Sequence, residues 1–94
     1  MYTLEQAERL AADFLRRESA GSDLEAVLVD KDGCKAEKGD FFYFIYNSAK
    51  YLATGDNRYA LYGAPALAVH KATGECRWVG NQEFSEVDPF DRRK

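Results

Sequence analysis

Apolar residues at positions 4, 7, 10, 11, 14 and 15 recur at the spacing of one helix face, while Glu5, Glu8, Arg9, Asp13, Arg16 and Arg17 fill the other. The pattern predicts a helix over residues 3–18. Thr3 and Gln6 mark its start as a capping box, in which the hydroxyl accepts a free helical N–H and the amide reaches back to the cap. Acidic residues near the start and arginines near the end complement the helix dipole. Ser19-Ala20-Gly21-Ser22 closes the element.

After the helix the period shortens. Residues 24–30 (LEAVLVD) read as a strand, and a polar, glycine-containing stretch from Lys31 to Asp40 links them to the aromatic strand Phe41–Tyr46. Residues 66–70 and 76–79 supply two more strands, joined by a tight hairpin at Thr73-Gly74. A helix followed by four strands with hairpin-type links is an α+β unit. The N-terminal helix packs across one face of a four-stranded antiparallel sheet, and the second face is left open to solvent or to a partner. Residues 1–80 form this domain. Residues 81–94, with Pro89 and many charges, are expected to be loose or lightly docked.

The connection over residues 47–63 is long for so small a domain, and connections of this length are usually functional or disordered. Its punctuation argues for order. Asn47 and Ser48 are cap-type residues, and residues 49–53 can form one helical turn that Thr54-Gly55 stops. Asp56 can cap a second turn, Asn57 to Tyr62, which Gly63 closes and Pro65 prevents from continuing. A two-turn helical connection between the second and third strands would hold Tyr51, Tyr59 and Tyr62 in defined directions. Tyrosine is enriched at interfaces, so some of these rings are expected to cover the core edge and others to anchor a partner.

Length and charge narrow the function classes. A chain of 94 residues is one domain, hiding roughly 60–65% of its surface on folding. With 46% hydrophobic residues it needs neither metal nor disulfide to build a core. A net charge of −3 argues against nucleic acid as a partner, and Arg92-Arg93-Lys94 reads as a solvated tail. No stretch approaches the roughly 20 apolar residues of a membrane span. The N-terminus has no signal-peptide pattern, so a cytoplasmic location without a membrane partner is expected. Cys34 and Cys76 show no zinc-ligand spacing and are expected to be free thiols.

Catalytic candidates are thin. His70 is the only histidine, and no motif places a nucleophile and a carboxylate beside it, so it reads as a strand or hairpin residue. Asp30, Asp32 and Gly33 look faintly like a calcium loop but lack the remaining oxygen ligands, and a hairpin turn is the better reading. The expectation is a protein that is not an enzyme and has no cofactor or metal. Trp78 can be either core or an anchor on the open face.

The stretch FFYFIYNSAKYLATGDNRYALYGAPALAVHKATGE, residues 41–75, resembles the immunity protein 35 family, also described as the YrhB-like domain. The matching features are Asn47-Ser48, the corner Tyr51-Leu52-Ala53-Thr54-Gly55-Asp56, Gly63-Ala64-Pro65, and Lys71-Ala72-Thr73-Gly74-Glu75. Two positions depart from the family pattern: Pro65 comes one residue early, and His70 stands where an acidic residue is usual. The resemblance implies a small bacterial protein with a cystatin-like layout that binds and neutralises a cognate protein toxin in the producing cell. It supplies no catalytic residues. Partner contacts are expected at Lys50, Asn57, Arg58, Tyr59, Tyr62 and Trp78. The alternative is a stand-alone stress or chaperone-like protein without a dedicated toxin.

Overall fold

A computed structural model describes residues 1–21, 24–29, 34–61 and 66–89. The first helix, α1 (Leu4–Glu18), begins as its cap residues require. The Thr3 N–H donates to Gln6 Oε1 at 2.9 Å, and the Gln6 N–H donates back to Thr3 Oγ1 at 3.2 Å. Ala7, Ala11 and Leu15 form its fully buried stripe, flanked by half-buried Leu10 and Phe14. Two alanines in that stripe let the helix backbone lie close to the sheet.

Six strands follow: β1 (Ala26–Leu28), β2 (Lys35–Lys38), β3 (Phe41–Phe44), β4 (Tyr46–Ser48), β5 (Ala66–His70) and β6 (Cys76–Val79). They form two antiparallel sheets, one of four strands in the order β2-β3-β5-β6 and one in which β1 pairs with β4. The first expected strand therefore does not join the four-stranded sheet. Ile45 explains the division. Its C=O accepts the Val29 N–H and its N–H donates to the Cys34 C=O, both at 3.0 Å. Residues 41–48 thus follow one path that pairs Tyr46 with Leu28 and Phe44 with Lys35, so β1 and β2 share that path's edge. The aspartates and glycine at 30, 32 and 33, read as a turn or calcium loop, lie outside the described residues.

Alternation along β3 and β5 produces a core on each face of the sheet. Phe42, Phe44, Leu67 and Val69 meet α1 on one face together with Ala26. Fully burying a side chain such as Phe44, Leu67 or Val69 contributes about 1.5–3 kcal/mol. Tyr43, Ala66, Ala68 and Val79 form the core of the second face.

That second face is not open to solvent, in contrast to the expectation. Two helices, α2 (Ala49–Thr54) and α3 (Asn81–Val87), complete the fold, and α3 sets Phe84 and Val87 on the second-face core. The helix is held at both ends. Arg77 forms a two-pronged ion pair with Glu83, one prong being Nη1 to Oε1 at 2.7 Å. Lys38 Nζ donates to the backbone oxygens of Val87 and Asp88. Where the sequence offers a loose or lightly docked segment, residues 81–87 are thus helical, while the tail Arg92-Arg93-Lys94 lies outside the described residues.

The β5–β6 hairpin turns at Gly74, whose φ of +75° favours glycine. A β-carbon there would also lie 2.9 Å from the Tyr2 ring and 3.0 Å from Leu10. The N-terminal segment is tied to the same turn, since the Tyr2 N–H donates to the Lys71 C=O at 2.7 Å.

Candidate functional site

The connection after β4 is built on two polar side chains at its root. Asn47 Oδ1 accepts the Leu61 N–H and the Ser48 N–H, each at 2.8 Å. Ser48 is fully buried. Its hydroxyl accepts the Tyr51 N–H at 2.9 Å, capping α2, and donates to the Tyr59 C=O. Asn47 and Ser48 therefore bond the start of the connection to its far end.

Between these anchors the chain turns at its capping residues, but the second turn is a short 3-10 turn that ends at Tyr59, where the sequence suggests a turn running from Asn57 to Tyr62. Gly55 adopts φ +72° and donates its N–H to the Tyr51 C=O, ending α2. Thr54 Oγ1 donates to the Lys50 C=O at 2.8 Å and accepts the Asp56 N–H at 3.2 Å. Asp56 Oδ1 accepts the Arg58 N–H at 2.9 Å and so caps the 3-10 turn Asn57–Tyr59. The Arg58 guanidinium returns to the same carboxylate, with Nη2 at 2.7 Å from Oδ2. Those bonds hold the Asp56 carboxyl below its ordinary range.

The outer surface of this connection gathers two cations around one ring. Lys50 Nζ stands 4.4 Å from the centre of the Tyr59 ring, and the Arg58 guanidinium carbon 5.7 Å from it. Two cations thus share one aromatic plate, an arrangement favoured by the negative ring face. None of the six residues of α2 is buried, and Leu52 is among the exposed large hydrophobic side chains. Asn57 is exposed at the corner. A six-residue helix is too short to hold itself together in water, so its caps and the Asn47–Ser48 bonds carry it.

Of the expected contact residues, the structure brings Lys50, Arg58 and Tyr59 together, with Asn57 beside them in chain. Tyr62 lies outside the described residues. Trp78 stands apart, on the α1 face of the sheet. Its ring packs 5.1 Å from Phe14 and 5.2 Å from Tyr46, and it remains 39% exposed. It borders a groove of about 230 Å³ that Leu61, Leu24, Ala26 and Tyr46 also line. Trp78 is thus neither fully core nor on the second face.

The remaining candidates have structural partners. His70 Nδ1 accepts the Ala72 N–H at 3.1 Å, and the ring meets Phe41 edge-on at 5.0 Å. Cys34 and Cys76 are both free thiols. Burial pushes the Cys76 thiol above its ordinary value, outweighing the opposite pull of Arg17, which keeps it a poor nucleophile. Among the described residues no group of three or more histidine, cysteine or acidic side chains is placed to hold a metal ion. No helix among them is long and apolar enough to cross a membrane.

Sequence reasoning missed the roles of Lys38 and Glu83 in seating α3. It also missed the tertiary use of Asn47, although its place beside a cap serine was visible. Compared with family models, curated proteins and solved structures, the chain matches none.

Proposed function

We propose that this protein is an immunity protein: it binds a cognate bacterial toxin in the producing cell and neutralises it by occupancy, without chemistry of its own. In this reading the α1-on-sheet arrangement corresponds to a cystatin-like layout, with the helical connection between its central strands presented to the toxin. The observation that carries it is the Lys50–Tyr59–Arg58 cluster on a connection whose helix buries none of its own residues. A rigid aromatic plate with cations above it and exposed Leu52 nearby offers an anchor with a polar rim. The Asn47 and Ser48 bonds hold that surface in place before binding, which lowers the ordering cost of association.

Co-expression tests the reading. A toxic protein encoded beside this gene should stop growth alone, and growth should return when this chain is made with it. The two proteins should then purify as a stoichiometric complex. Rescue without a complex, or no rescue at equal expression, would overturn neutralisation by binding.

A further inference from the structure

The two edges of the four-stranded sheet are finished differently. On β2, Lys35 pairs with Glu8, Glu37 pairs with Lys71, and Lys38 binds the end of α3. Charge along an edge strand is a common guard against strand addition. On β6 the one charged side chain, Arg77, is drawn over the Phe41 ring at 4.7 Å and bound to Glu83 on the second face. That leaves the edge itself unguarded.

The backbone of that edge has a defined polarity. The His70 N–H donates to the Glu75 C=O, and Ala68 pairs with Arg77 in the same register. Residues 75, 77 and 79 therefore direct their N–H and C=O groups toward β5, and Cys76 and Trp78 direct theirs outward. Trp78 and Tyr2, 39% and 36% exposed, lie toward opposite ends of this short edge on the α1 side.

We propose that β6 is a self-association edge, on which a second copy of this chain adds its own β6 antiparallel about a twofold axis at Cys76. The partner is a second copy because three features of the edge complement themselves in this register. Cys76 meets Cys76 of the other copy as a hydrogen-bonded pair, each N–H donating to the other's C=O. Glu75 and Arg77, side by side on the second face, fall opposite Arg77 and Glu75 of the other copy, so that each Arg77, still bound to Glu83 of its own chain, meets a further carboxylate across the seam. Trp78 is carried toward the Gly74 turn and Tyr2 of the other copy, twice. The result is one continuous eight-stranded sheet. So few paired residues bury far less than the roughly 800 Å² per partner of a stable interface, so the dimer is weak and forms on concentration. This inference does not depend on the toxin-binding reading.

The test is sedimentation equilibrium of the intact protein under reducing conditions over a concentration series, with amide hydrogen exchange at the same concentrations. The average mass should rise from monomer toward dimer. The Cys76 amide should gain protection on concentrating, while the Arg77 amide, already bonded inside the sheet, should not change. Glu75→Arg places like charges opposite each other twice. It should weaken association at least ~10-fold, with at most a small drop in the melting curve from the lost Glu75–Arg77 attraction within each chain. A single monomer mass at every concentration would overturn the proposal. So would association that Glu75→Arg does not weaken, or protection that grows elsewhere with the Cys76 amide unmoved.

Discussion

Asn47 Oδ1 accepts the Leu61 N–H at 2.8 Å, joining residues 14 positions apart. With the neighbouring Ser48 hydroxyl bound to the Tyr59 C=O, this bond turns a long polar connection into a fixed surface. Its cost and its use both follow from that closure.

Ser48→Ala removes the acceptor of the Tyr51 N–H and the donor to the Tyr59 C=O. Leaving buried polar groups unpaired costs about 1–3 kcal/mol. Urea unfolding should show a loss in that range. The Tyr51 amide, capped by this hydroxyl, should lose hydrogen-exchange protection more than the amides of β5.

Gly55 and Asp56 shape the corner between α2 and the 3-10 turn. With φ at +72°, Gly55→Val should destabilise by more than ~1 kcal/mol, because a β-branched side chain is strained in the left-handed region. Asp56→Ala removes both the cap on Arg58 N and the guanidinium's partner. The Asp56 variant should destabilise less than the Gly55 variant, since its side chain is at the surface. Thermal midpoints of the two variants check the order.

Gly74 is constrained twice, by its φ of +75° and by the ring of Tyr2. Gly74→Ala should cost at least ~1 kcal/mol for the backbone conformation alone, with a further steric part from Tyr2. In a Tyr2→Ala background the steric part should shrink and the conformational part should stay. A double-mutant cycle from chemical denaturation measures the difference.

The seating of α3 should depend on pH. Hydrogen bonding to Arg77 lowers the Glu83 pKa below its ordinary value. A lowered folded value means that the Arg77 contact stabilises above the unfolded value of about 4.3 and is lost as pH falls through the folded value. Both side chains are about a third exposed, so the effect is small and local. The Asp88 amide, bonded to the Phe84 C=O, should lose protection in that acid window. Glu83→Gln should show less protection at neutral pH and a flatter pH response.

What was legible in the sequence was local. The capping box at Thr3 and Gln6, the αL turn at Gly55 and the cap at Asp56 are signals within a few residues, and each forms as read. Strand β2 was not legible, because Lys-Ala-Glu-Lys has one inward face and carries its charges at a sheet edge. Helix α3 shows only Phe84 and Val87, one i,i+3 pair, among polar residues. Its seat depends on Phe84 and Val87 meeting the second-face core, on the nearby Arg77–Glu83 pair and on Lys38, far away in sequence. The site divides the same way. Ser48 and Asp56 announce themselves as caps, while the bonds from Asn47 to Leu61 and from Lys50 to the Tyr59 ring depend on closure of the whole connection.

The claim that this connection is the partner-binding surface is tested most directly by a binding titration against the cognate toxin, with each variant's melting curve alongside. Lys50→Ala and Tyr59→Ala remove the cation and the plate it rests on. Each should weaken binding ~10-fold or more, as truncation at an interface anchor does, with little change in melting. Glu5→Lys and Arg9→Glu alter an exposed ion pair on the outer face of α1 and should leave the affinity within about twofold, since surface pairs contribute little. Full affinity in the Lys50 and Tyr59 variants, with binding lost in the α1 variants, would contradict the assignment and move the interface to the helix side of the molecule.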